Sequence, residues 1–187
     1  MHDGSMTESQ SPPPYPAEIF DVLESLLEEP THVLDATAGE GALARALIAR
    51  GRVARLDAVE PSPESIATAR ELPGGCHPDL HWIAGAVDTV PLNPPYSLIT
   101  ADSRLYQLPW EPTMARLAAV LGPHGVMAIV EQGNHRPPLA LADELIARGL
   151  FRKSGEHRAL PTPYDADDSQ PIDVVATVVW GRPLTGD

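Results

Sequence analysis

Residues 33–44 read VLDATAGEGALA, and no other stretch restricts the fold of this chain as much. A short apolar run ends in Asp35, a small-residue loop carries Gly39 and Gly41, and Leu43, Ala46 and Leu47 then recur at helical spacing. The pattern predicts a strand, a tight loop and a helix that Gly51 stops. Small residues let a ligand approach the backbone, and a helix N-terminus offers unpaired N–H groups and a partial positive charge. The next predicted strand, Val53–Glu60, closes on another acid. A carboxylate there can accept hydrogen bonds from both hydroxyls of a ribose.

The rest of the chain alternates in the same way. Ile19, Phe20, Leu23, Leu26 and Leu27 form one helical stripe, with Pro30 as its expected stop. Ser62 is a candidate N-cap and Pro63 a first helical residue. Strands are predicted at Leu80–Ala84, Ser97–Ala101, Val126–Val130 and Val174–Trp180, with helix stripes through Met114, Leu117 and Leu121 and through Leu141, Leu145 and Ile146. This order predicts an α/β domain with a mainly parallel sheet and right-handed crossovers. In such sheets ligands bind outside the carboxyl ends of the strands, where strand order reverses. Residues 1–15 are polar and proline-rich and are expected to be a flexible tail, with Met1–Ser5 reading as a cloning remnant; residues 16–187 are expected to be a single domain.

Charge removes whole classes of partner. With 13 Lys and Arg against 26 Asp and Glu, the net charge is −13, which a phosphate backbone or an anionic membrane would repel. The lone Cys76 excludes an internal disulfide, and no metal-ligand spacing is present. No apolar run approaches membrane-span length and no signal pattern opens the chain, so the expectation is a soluble, cytoplasmic protein.

Three readings of the glycine loop stay open on residues alone. Gly39–Ala44 also satisfies G-x-G-x-x-A, which allows a nicotinamide dinucleotide. Asp35, however, stands between strand and glycines, where it would repel a pyrophosphate and suit an ammonium group. That favours S-adenosylmethionine (SAM). The third reading is a tight turn with no ligand.

The sequence resembles the class I SAM-dependent methyltransferases, above all the type-11-like small-molecule enzymes, from about Tyr15 to Glu131. VLDATAGEGALA is similar to their D-x-G-x-G-x-G motif with Thr37 in place of the first glycine, DAVEPSPESIATAR to their second strand and its helix, and LAAVLGPHGVMAIVE to their fifth-strand region. The resemblance implies a Rossmann-like, seven-stranded, mostly parallel sheet of order 3-2-1-4-5-7-6 with helices on both faces. It also implies SAM as cofactor and S-adenosylhomocysteine (SAH) as product. Asp35, Ala36, Thr37, Gly39 and Gly41 would hold the methionine part, and Glu60 with Pro61 the ribose. Backbone of Ala86 and Val87 would hold the adenine, Ala101 would lie beside the sulfur, and Tyr15 would close over the cofactor.

On the acceptor side the resemblance is thinner. Relatives often carry His-Trp where this chain has Tyr106-Gln107, so Tyr106, Trp110 and, beyond Glu131, His135 are the candidate catalytic residues. Asn93-Pro94-Pro95-Tyr96 matches the N-P-P-Y of amino-methyltransferases, but it precedes the fourth strand and reads as a turn away from the site. Relatives carry a helical segment before the last strand; here only about residues 164–171 join the two parts. The expected function is methyl transfer to an O, N or C atom of a small molecule, with a homodimer completing the open face. The alternative is a SAM- or SAH-binding protein that does not methylate.

Overall fold

The computed structural model describes residues 15–133, 140–160, 162–164 and 172–185. Strands β1 (His32–Asp35), β2 (Arg55–Glu60), β3 (Leu80–Ala84), β4 (Tyr96–Ala101) and β5 (Leu121–Gly133) pair in parallel. Strand β8 (Ile172–Pro183) runs antiparallel to β5 and to β6 (Phe151–Arg158). The sheet order is β3-β2-β1-β4-β5-β8-β6, which is the expected order with β8 in the place of the seventh strand. An additional strand, β7 (Thr162–Tyr164), pairs with the start of β8, Tyr164 opposite Ile172. The expected tail lies outside the described residues except for Tyr15, whose ring meets Phe20 edge-on at 6.3 Å.

Side-chain alternation divides the core between the two sheet faces. Val33, Leu56, Leu98, Ala128, Val130 and Val178 point to one, where α1 (Ala17–Ser25) and α2 (Ala42–Ala49) cover them. Leu34, Val59, Ile99, Met127, Ile129 and Val179 point to the other, under α4 (Trp110–Val120) and α5 (Ala140–Ala147). Every residue of β4 is buried, as a central parallel strand requires. Ser62 Oγ accepts from Ser65 N–H at 3.2 Å and Pro63 opens α3 (Pro63–Glu71), as expected.

Helix α1 ends at Ser25 rather than running on to Pro30. The Leu26 N–H turns back to Leu23 and Glu24 carbonyls, and the exposed Glu28 and Glu29 that follow would oppose the negative end of a longer helix.

Asn93–Tyr96 enters β4 at its N-terminal end, opposite the edge where β1 and β2 terminate in acids. The Tyr96 hydroxyl donates to the buried Asp57 at 2.6 Å and accepts from Asn93 N–H at 2.9 Å. The N-P-P-Y stretch is a pinned turn remote from the glycine loop.

Candidate active site

The glycine loop is held by its own backbone. Ala36 N–H donates to Thr100 carbonyl at 2.8 Å, and Ala38 N–H to Val59 carbonyl at 3.0 Å. The loop is thus strapped to β4 on one side and β2 on the other. Gly39 (φ 54°) and Gly41 (φ 74°) take left-handed conformations that favour glycine. A Cβ on Gly39 would overlap the Arg104 guanidinium, and one on Gly41 would lie 2.6 Å from the Trp82 ring.

Two buried carboxylates flank the loop. Glu60, at the end of β2, accepts from Gly39 N–H at 2.9 Å on one oxygen and from Ser62 N–H at 2.8 Å on the other. A carboxylate offers about four lone-pair positions, so acceptor capacity remains for a vicinal diol. Asp35, at the end of β1, is 1% exposed and its Oδ1 has no hydrogen-bond partner. Burial first, and then the charge of Asp102, raise its pKa to about 7 against the pull of Arg104. Burial, Asp102 and Asp35 also push the Tyr15 phenol upward. A carboxylate in this state is stabilised by a cation.

Thr37 accounts for its own presence in place of a glycine. Its hydroxyl donates to Asp102 Oδ1 at 3.0 Å and accepts from Asp102 N–H at 2.9 Å. Asp102 caps the 3-10 helix Ser103–Gln107 by accepting from Arg104 N–H at 2.9 Å, and it holds the Arg104 guanidinium through Nε at 3.0 Å. Sequence reasoning passed over Asp102 and Arg104; their only sequence signal is a helix-capping Asp at a strand exit.

A cleft of about 200 Å³ opens beside Thr37, Glu60 and Arg104, with Tyr15, Asp35, Gly39, Gly41 and Ala101 outside its lining. Of the expected cofactor residues, Ala36, Thr37, Glu60, Pro61 and Val87 line it, together with Ser62, Arg104, Gln107 and Leu108. Ala86 lies outside this lining; its carbonyl accepts from Thr89 and Val90 N–H, each at 3.0 Å. Val87 carbonyl accepts from Arg116 Nε at 3.0 Å. What faces a base here is the apolar wall of Val59, Pro61 and Val87. Ala101 is fully buried at the end of β4, and Gly41 serves as N-cap of α2.

Of the candidate catalytic residues, Tyr106 is 44% exposed and its ring centroid lies 5.7 Å from that of Trp110. Trp110 is buried, donates Nε1–H to Leu105 carbonyl at 2.8 Å, and lies beneath the Arg148 guanidinium at 4.8 Å. It forms a wall and presents no free polar atom. His135 lies outside the described residues. Beyond them, Glu131 at the end of β5 is buried, with Oε2 unpartnered. Among the described residues no helix is long and apolar enough to cross a membrane.

The comparisons agree with this geometry. A family described as a methyltransferase domain matches residues 33–125. A candidate type II methyltransferase from Anaeromyxobacter dehalogenans has a similar fold (TM-score 0.65, 17% identity), covering 92% of this chain and 98% of that one. Precorrin 8w decarboxylase from Methanobacterium thermoautotrophicum is similar at TM-score 0.62 and 17% identity, with 94% and 95% covered. The glycopeptide N-methyltransferase MtfA, complexed with SAM, is similar at TM-score 0.58 and 14% identity, with 87% and 85% covered. No curated protein is similar in sequence to this chain. At these identities the structural likenesses concern the fold alone. The family match spans β1 and β2, the strands that end in Asp35 and Glu60, so residues 33–125 form a methyltransferase domain, on a sheet whose order is the one expected for the class I SAM-dependent fold.

Proposed function

We propose that this chain transfers the methyl group of SAM to an O, N or C atom of a small molecule and releases SAH. The observation that carries the reading is the pair of buried carboxylates on either side of the glycine loop. Asp35, with an unpartnered oxygen, holds the ammonium of the methionine part. Glu60 receives the ribose hydroxyls on the lone pairs that Gly39 and Ser62 leave free. Val59, Pro61 and Val87 pack the adenine, and Thr37 with Asp102 fixes the loop beneath.

SAM supplies a methyl group already activated on a sulfonium, so positioning and water exclusion are the tasks left to the protein. Orientation alone can contribute about 7–11 kcal/mol in favourable cases. Calorimetry with SAM tests the site. Glu60→Gln is expected to weaken binding about tenfold or more, the worth of a hydrogen bond to a charged acceptor. Absence of SAM and SAH binding in the wild-type protein refutes the reading. Mass-spectrometric detection of SAH released over a panel of acceptors tests transfer.

A second reading, cofactor binding without methyl transfer, is favoured by one observation. Between β6 and β8 the described residues add only the short β7, where the relatives' helical segment would stand. SAM binding with no SAH release on any acceptor supports it. If a second copy completes the open face, light scattering gives a dimer; an active monomer removes that version.

A further inference from the structure

The C-terminal edge of the sheet carries a polar patch that cofactor binding leaves unused. Glu131 on β5 and Thr177 on β8 are register partners, so their side chains lie side by side on one face. Both are buried, at 6% and 2% exposure, and Glu131 Oε2 and Thr177 Oγ1 have no hydrogen-bond partner. They share the face of Ile129 and Val179, and Ile129 is the register partner of Ala101 at the end of β4. The patch therefore sits one strand beyond β4, on the face of the sheet that α4 and α5 cover. Burial first, and then the charges of Glu131 and Glu144, raise the pKa of the Tyr106 phenol.

Among the described residues, the charges that act on Glu131 and Tyr106 are carboxylates. Burial raises the Glu131 pKa, the Leu141 N–H on α5 opposes it, and the Asp143 charge on the same helix adds the smallest push upward. The cation Arg148 is engaged, paired with Glu144 at 3.1 Å and laid on Trp110. On this face β4 brings Ala101 and β8 brings Thr177 and Val179. A carboxylate acceptor would be repelled here. A phenol would be held in its unreactive neutral form, because neighbouring negative charge raises its pKa. An amine is attracted as its ammonium, and it needs a base to free its lone pair.

We propose that the methyl acceptor is an amine, bound at the end of β5 by Glu131 and Thr177 and deprotonated by Glu131. The inference rests on the methyl-transfer reading above. The ammonium gives one proton to the Glu131 carboxylate. The freed nitrogen lone pair then forms the N–C bond as the C–S bond breaks, and its electron pair stays on sulfur. The products are the methylated ammonium, the thioether SAH and Glu131 as its acid, which returns the proton to solvent. Burial raises the Glu131 pKa to about 6, so at neutral pH it is mostly the base the step needs.

The full chain, first shown to bind SAH, is titrated with benzylamine, 4-methylphenol and phenylacetate, and the same three are offered with SAM. Benzylamine is expected to bind most tightly and to be the one that releases SAH. Glu131→Gln is expected to leave SAH affinity unchanged, weaken benzylamine about tenfold, and lower turnover about 100-fold. Glu131→Asp keeps the charge but withdraws it by a methylene; it is expected to retain the preference for benzylamine and to lose about tenfold in turnover. Preference for the phenol or the carboxylate, no response to any of the three, or wild-type turnover in either variant overturns the amine inference. Failure to bind SAH or SAM overturns the underlying methyl-transfer reading instead.

Discussion

Replacing Asp35 with Asn sets stability against binding, and the structure fixes the sign. Asp35 is fully buried with one oxygen unpartnered, and burial, reinforced by Asp102, lifts its pKa from 3.8 to about 7. The folded chain therefore holds this proton more tightly than the unfolded chain does. Stability from the group is complete below about pH 4 and is lost as pH rises through about 7. At about 1.4 kcal/mol per pH unit, the ceiling on that loss is about 4 kcal/mol. Asparagine does not titrate; its buried amide costs about 1–3 kcal/mol at every pH. Relative to wild type, Asp35→Asn should thus be equal or weaker at pH 4, gain up to about pH 7 and level off above it, a relative rise in Tm on the order of 10 °C. Paired calorimetric scans of the ligand-free proteins across this range read it directly. The same variant should lose SAM binding. In wild type, binding near pH 6.5 should release protons, seen as a dependence of the binding enthalpy on the buffer's ionisation enthalpy. A Tm difference that stays flat from pH 4 to 8, or undiminished SAM affinity in Asp35→Asn, refutes the reasoning.

Two further substitutions separate the ends of the sheet. Tyr96→Phe removes the donor to buried Asp57 and should cost about 1–3 kcal/mol with SAM affinity unchanged; a matching loss of affinity would put the N-P-P-Y stretch in the site after all. Thr37→Val strips both hydrogen bonds from Asp102; SAM affinity should fall about tenfold with only a modest drop in urea midpoint, and unchanged affinity would show that the Thr37–Asp102 link does not shape the loop.

The glycine-loop unit was legible because it is local. Asp35, the glycines and Glu60 belong to one strand–loop–helix–strand unit, and the spacing of the motif is also its geometry. The Pro63 start of α3 and the Gly51 stop of α2 were legible for the same reason, since caps are decided by one or two residues. Strand β7 gave no signal: it is three residues long with Pro163 at its centre, and it exists only through its pairing with β8. Thr37 looked like a departure from a glycine motif because its partner, Asp102, lies 65 positions further along the chain.

The acceptor side was hidden for a different reason, which also bears on its chemistry. It is assembled from β4, β5, β8 and the 3-10 helix, and its key pair, Glu131 and Thr177, is joined only by strand register. No window of sequence contains it. Yet the two sides repeat one physical arrangement. Asp35 ends β1 and Glu131 ends β5, each buried, each with an unpartnered oxygen, each raised toward neutrality by burial. Between them β4 ends in Ala101, small and uncharged. Two such carboxylates are costly as anions in an empty fold and are relieved by a proton or by positive charge. On the proposed reading SAM would bring one cationic group to Asp35, and an ammonium acceptor would bring the other to Glu131. Glu131→Gln and Asp35→Asn should therefore act on different ligands: the first on the amine alone, the second on SAM. Each variant should also lower the pH sensitivity of ligand-free stability through its own carboxylate. Wild-type pH sensitivity in both variants would show that neither carboxylate carries the burden assigned to it.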